Sequence, residues 1–109
     1  MRSPEGLLRE LRGSASVVII SAPGCPKCVQ ISEWLRDHSN GVLWKKVCVS
    51  SLQDELEESL IHQFVGLLKS STGGRSYPFC FYGGEYIEDI EELKHLVFQN
   101  KVELKFEDL

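Results

Sequence analysis

Val17-Val18-Ile19-Ile20-Ser21-Ala22-Pro23-Gly24-Cys25-Pro26-Lys27-Cys28 is the stretch around which the rest of the chain is organised. Its apolar run reads as a strand, and Ile31, Trp34 and Leu35 at helical spacing follow the two cysteines. Pro26 suits the first helical turn, where its missing N–H costs nothing and its fixed φ is already helical. Cys25 then falls at the N-terminal cap, where unpaired N–H groups and the helix dipole favour an anion. A thiolate is such an anion, and helix N-termini lower a cysteine pKa from about 8.5 into the range of roughly 3.5–7.5. Cys28, one turn further in, is placed to attack a mixed disulfide on Cys25. A cysteine pair between strand and helix points to dithiol redox chemistry.

Two other uses of Cys-x-x-Cys stand beside that one. Half a zinc site is one, but Cys48 and Cys80 are isolated and His38, His62 and His95 show no ligand spacing, so no metal is expected. An inert structural disulfide is the other, an unusual use of so short a loop in a chain that reads as intracellular.

The 109 residues suit a single domain, 1–109, with one modest core. A net charge of -4 and the lack of a basic stripe argue against nucleic-acid binding. No apolar run reaches membrane-spanning length and the N-terminus shows no signal-peptide core, so a cytoplasmic chain without membrane attachment is expected. Four cysteines, unevenly spaced, do not make a secreted disulfide framework.

Outward from the motif, Ser3-Pro4-Glu5 starts a helix whose face is Leu7, Leu8 and Leu11 and whose end is Gly13. The strand from Ser16 to Ser21 is apolar on both faces, as in a sheet covered on both sides. The second helix ends at Asn40-Gly41. Leu43 to Val49 is a strand with two lysines in its middle, which suggests a protected sheet edge. Trp44, Lys46 and Cys48 share one of its faces, and Cys48 reads as a small apolar filler rather than a third redox partner. Ser51-Leu52-Gln53-Asp54 resembles a capping box and predicts a helix from there to Ser70-Ser71. Its stripe is Leu56, Leu60, Ile61, Phe64, Val65 and Leu68, and the cluster Asp54-Glu55-Glu57-Glu58 sits in its first turns. Phe79 to Tyr82, Gly83-Gly84 and Glu85 to Ile87 form a hairpin, with Cys80 a core residue. A last helix from Glu88 turns Ile90, Leu93, Leu96 and Val97 inward. The alternating tail Val102-Glu103-Leu104-Lys105-Phe106 is open between a strand, a docked extension and a segment ordered on binding.

The order of elements, with Gly24-Cys25-Pro26-Lys27-Cys28 after the first strand, resembles a dithiol glutaredoxin of the thioredoxin-like superfamily. The likeness runs from about Leu7 to Asn100. Two more blocks carry it: Thr72-Gly73-Gly74-Arg75-Ser76-Tyr77-Pro78, similar to the family's Thr-Gly-x-Arg-Thr-Val-Pro, and Gly84-Glu85-Tyr86-Ile87 leading to Glu91-Glu92-Leu93. The resemblance implies an α/β, thioredoxin-like (glutaredoxin) fold, a four-stranded mixed sheet flanked by helices, with Pro78 cis.

It also implies an enzyme: a glutathione-linked thiol–disulfide oxidoreductase acting on protein or glutathione mixed disulfides. Cys25 is then the nucleophile and Cys28 the resolving thiol. Glutathione is the co-substrate, held by Lys27, Arg75, Tyr77, Pro78, Ile90 and Glu91, with no bound cofactor and a monomeric chain. Tyr77 would offer its backbone N–H and C=O, and Arg75 would meet the glycyl carboxylate. Two positions depart from the family. Ala22 stands where many members carry a lysine, and Glu88-Asp89 replaces the Gly-Gly on which the γ-glutamyl end rests. Three alternatives follow: a redoxin of the same fold reduced by thioredoxin reductase, a binder of a [2Fe-2S] cluster, and an interaction module. Pro26 disfavours the cluster, because members that hold one usually lack that proline.

Overall fold

The computed structural model describes residues 3–39, 41–54, 56–74 and 76–107, with side chains in the last helix only as far as Gln99. Helix α1 spans Pro4–Arg12, and its N-cap Ser3 accepts the Gly6 N–H at 3.1 Å. Strand β1 (Val17–Ser21) is buried throughout its length. Helix α2 (Pro26–His38) crosses to strand β2 (Trp44–Cys48), which pairs parallel with β1. The cap after α2 is Ser39, and Asn40 of the expected stop signal lies outside the described residues. Helix α3 (Glu58–Ser71) precedes strands β3 (Phe79–Tyr82) and β4 (Glu85–Ile87). Gly83 and Gly84 join these two strands with φ of 61° and 85°, the positive values that a two-residue hairpin turn requires at both central positions. Helix α4 spans Ile90–Glu107.

The sheet order is β2-β1-β3-β4, with β3 antiparallel to both β1 and β4. The lysine-bearing β2 is an edge strand, as its charge predicted. Alternation along β1 splits the core into two layers. On one face Val18, Ile20, Val47, Phe79 and Phe81 pack against Leu7, Leu8 and Leu11 of α1 and Phe64 and Leu68 of α3. On the other, Val17, Ile19 and Cys80 pack against Ile31 and Leu35 of α2 and Leu93 and Val97 of α4. This is the thioredoxin-like arrangement, a four-stranded mixed sheet flanked by helices.

Two sequence expectations are corrected. The helix predicted from Ser51 begins instead at Glu58, and Val49–Asp54 is a 3-10 helix. The Ser51 hydroxyl donates backwards to the Cys48 carbonyl at 2.7 Å, so it closes the end of β2 and caps nothing downstream. Leu52, within the 3-10 segment, and Leu56, just after it, fill the core before α3. Of the acidic cluster, Glu58 alone lies in the first turn of α3. Glu57 is its N-cap, Asp54 ends the 3-10 helix and Glu55 lies outside the described residues. The second correction concerns the alternating tail, which is helical and continues α4 to Glu107. Alternation over five residues is too short a signal to outweigh an uninterrupted helix with no Gly or Pro.

Candidate active site

Parallel β1 and β2 end at the same margin of the sheet, outside which open α/β folds place their ligands. Beyond β1 the loop Ala22-Pro23-Gly24 leads to Cys25, the N-cap of α2, with Pro26 at the first helical position. The backbone N–H of Cys28 donates to Cys25 Sγ at 3.2 Å. A sulfur thus stands where Ser or Asp serves in ordinary caps, and the exposed N–H groups of the first turn are turned toward it. Cys25 and Cys28 are joined as a disulfide with Cα atoms 5.3 Å apart. Cys25 is half-buried, whereas Cys28 is 1% exposed and sits beneath it. An incoming group therefore meets Cys25 first.

Two concavities flank the pair. The smaller, about 160 Å³, is lined by Lys27, Ser76, Tyr77, Pro78, Tyr86, Glu88 and Ile90. It brings together four residues that the sequence assigned to glutathione: Lys27, Tyr77, Pro78 and Ile90. The Tyr77–Pro78 peptide bond is cis, as expected. Tyr77 is held by edge-on contact with Phe79, ring centroids 5.0 Å apart. Glu91 is not one of the lining residues; its carboxylate lies 3.8 Å from Lys94 Nζ, which in turn sits over the Trp34 ring. Arg75 lies outside the described residues. Where α4 begins, Asp89 Oδ1 accepts the Glu91 N–H at 3.1 Å, so one of the helix-start donors is satisfied within the chain.

The larger concavity, about 470 Å³, lies on the β2 side, between the active-site loop, the start of α2 and the sheet edge. Ala22, Pro23, Cys25, Val29, Lys46 and Cys48 are among its walls. Cys48 is a correction: it was expected as a buried apolar filler and is instead half-buried beside the disulfide. Desolvation pushes its thiol up, but hydrogen bonds with the Ser50 side chain and backbone and with Ser21, together with the Lys46 charge, bring it below the ordinary thiol value. The Cys48 Sγ–Ser50 Oγ distance is 3.1 Å. Desolvation and then the Cys48 charge raise the Tyr77 phenol. Cys80 behaves as the sequence predicted: it is 1% exposed, and burial pushes its thiol up to about 12. Sheet register, a pairing in space, separates the two. Cys48 ends an edge strand level with Ser21, while Cys80 faces Ile19 in mid-sheet.

Among the described residues, no group of three or more His, Cys, Asp or Glu side chains is placed to hold a metal ion. Nor, among them, is any helix long and apolar enough to cross a membrane.

An N-capping Cys-x-x-Cys and a cis-proline on a mixed four-stranded sheet define a dithiol site of the thioredoxin-like class. No family model matches the sequence, and no curated protein does. Solved structures do match. The holo form of glutaredoxin C1 from Populus tremula x tremuloides is similar at 26% identity and a TM-score of 0.65, over 96% of each chain. Wheat glutaredoxin is similar at 25% identity and a TM-score of 0.66, over 85% of this chain and 80% of its own. Buckwheat glutaredoxin, solved as its complex with glutathione, shares the fold at 20% identity and a TM-score of 0.64, over 90% and 84%. Within its class the chain is glutaredoxin-like, of the dithiol Cys-Pro-x-Cys type, and the fold with its cysteine pair supports a thiol–disulfide oxidoreductase.

Proposed function

We propose that this chain is a glutathione-linked thiol–disulfide oxidoreductase that reduces protein or glutathione mixed disulfides. Reduced Cys25 attacks the accessible sulfur of the substrate disulfide, one half leaves as a thiol, and the other stays on Cys25. Cys28 then displaces that half and closes the Cys25–Cys28 disulfide, which two molecules of glutathione reopen. The observation that carries the reading is the placement of Cys25 Sγ on the Cys28 N–H at the α2 terminus, next to the Lys27–Tyr77–Pro78–Ile90 groove. Lys27 supplies a cation to an anionic tripeptide, and Tyr77 supplies backbone donors and acceptors. The likeness to a glutaredoxin solved with glutathione supports the same assignment.

A specific observation favours a second reading, reduction by a thioredoxin-reductase-type flavoprotein. Glu88 lines the groove and Asp89 already occupies the Glu91 N–H, so two carboxylates stand at the end where the γ-glutamyl group rests in the family. One assay separates the readings: turnover of a small glutathione mixed disulfide with glutathione, glutathione reductase and NADPH, run in parallel with thioredoxin reductase and NADPH. Activity through glutathione that is lost in Cys25→Ser supports the first. Activity only through thioredoxin reductase replaces it with the second, and inactivity with both donors removes the enzyme reading.

A further inference from the structure

Three cysteines, not two, face the cavity on the β2 side. Cys25 and Cys28 line it from α2, and Cys48 lines it from the end of β2. The register sets Cys48 opposite Ser21, four residues before Cys25, so both thiols emerge at one margin of the sheet. The backbone of Cys48 is tied down by the Ser51 hydroxyl on its carbonyl at 2.7 Å, while its Sγ meets Ser50 Oγ at 3.1 Å. Lys46, two residues earlier on the same strand face, lines the same cavity. Cys80 has none of these features: it is packed in mid-sheet beneath α2 and α4.

We propose that Cys48 is a second resolving thiol, which attacks the mixed disulfide on Cys25 from the cavity side. The inference rests on the oxidoreductase reading above, since it needs Cys25 to form that mixed disulfide. In the step, the Cys48 thiolate attacks Cys25 Sγ, a Cys25–Cys48 bond forms, and the bond from Cys25 to the substrate sulfur breaks. The substrate leaves as a thiolate and takes a proton from water. Cys25 and Cys48 together lose the two electrons that reduce the original substrate disulfide, so no other oxidant or reductant enters. A disulfide needs Cα atoms within roughly 4.4–6.8 Å, so the step requires the Ala22-Pro23-Gly24 loop to bring Cys25 across the cavity toward β2. The cavity of about 470 Å³, walled by the loop on one side and by Lys46 and Cys48 on the other, is the space that this approach would cross. Ser50 and Lys46 do for Cys48 what the α2 terminus does for Cys25: they favour the attacking anion.

The test removes the resolving thiol already assigned. Reduced Cys28→Ser protein, dilute and free of oxygen, receives a single equivalent of 5,5′-dithiobis(2-nitrobenzoate), and the released aryl thiolate is counted. The expected result is release of about two equivalents per chain, with a Cys25–Cys48 peptide in the digest of the monomer. Cys28→Ser/Cys48→Ser is expected to release about one and to keep the aryl group on Cys25. Cys28→Ala serves as a second background should serine disturb the buried position. Retention of the aryl group on Cys25 in the single variant, as in the double one, overturns the proposal. A Cys25 that takes no label in either background removes the oxidoreductase reading first, and the inference with it.

Discussion

The backbone N–H of Glu91 donates to Asp89 Oδ1 across 3.1 Å, so the first turn of α4 is capped by a carboxylate belonging to the chain itself. An anionic ligand approaching this helix start meets a donor already in use and a negative charge. With Glu88 on the wall of the same groove, two negative charges stand where the proposed reading would seat the γ-glutamyl end of glutathione. Replacing both in Glu88→Gly/Asp89→Gly is expected to raise kcat/KM for glutathione roughly thirtyfold, on the order of 1 kcal/mol for each of the two unfavourable contacts relieved. Glycine at an N-cap in place of Asp costs only a few tenths of a kcal/mol, so the fold survives the change. The check is steady-state kinetics at varied glutathione. An unchanged kcat/KM would show that this end of α4 does not meet glutathione.

That groove depends on how α4 docks. Leu93 is fully buried against Cys80 and the α2 side chains, one turn beyond Ile90, which lines the groove. Leu93→Ala removes that anchor and leaves a cavity, with an expected loss of about 2–5 kcal/mol in stability. Urea denaturation measures it. The same variant, assayed below its unfolding transition, is expected to show KM for glutathione raised more than kcat is lowered, because Ile90 loses its support while Cys25 does not.

Most of what positions Cys25 is legible in the sequence. The β-branched run Val17–Ile20, the proline at the first turn of α2 and the cysteine before it are local signals that tertiary packing reinforces. Lys45 and Lys46 marked the edge strand for the same reason: a central position would bury them. Ser51 misled because a hydroxyl at a chain bend can bond backwards as readily as forwards, and only the depth of Leu52 in the core decides which. Cys48 was misjudged because its burial depends on a neighbour in space. Its strand ends level with Ser21, and the cavity opens beside it on the loop side. Residue type alone does not separate it from Cys80.

Cys48 and Ser50 make a second local relation that a pH profile can read. In a Cys25→Ser/Cys28→Ser background Cys48 is the accessible thiol, with Cys80 in the core. Desolvation opposes its ionisation, and the Ser50, Ser21 and Lys46 contacts more than offset this, so the group sits below the ordinary thiol value. Alkylation by iodoacetamide, followed against pH, is expected to reach half its maximal rate below that of a free thiol. Ser50→Ala removes a hydrogen-bond partner 3.1 Å away and is expected to move the midpoint upward and slow the reaction at neutral pH. A midpoint unchanged by Ser50→Ala would mean the hydroxyl does not stabilise the thiolate.

Cys80 gives the opposite titration and a stability signature of known sign. Burial lifts its thiol from 9.0 to about 12 in the folded chain, while in the unfolded chain it regains its ordinary value. Below about pH 9 both states carry the proton and the difference contributes nothing to the pH dependence. Between about 9 and 12 the unfolded state loses the proton and the folded state keeps it. Unfolding then releases a proton, and stability falls as pH rises by about 1.4 kcal/mol per unit at most. Above about 12 both are ionised and the slope ends. Other groups titrate in the same window, so the comparison is with Cys80→Ala. That variant starts less stable, because the side chain fills a position 1% exposed against Ile19 and Ile87, but it lacks this component of the slope. Urea titrations at several pH values from 8 upward should therefore show the two stabilities converging as pH rises. Parallel lines would mean that water reaches the Cys80 thiol and that the core beneath the active-site helix is looser than its packing implies.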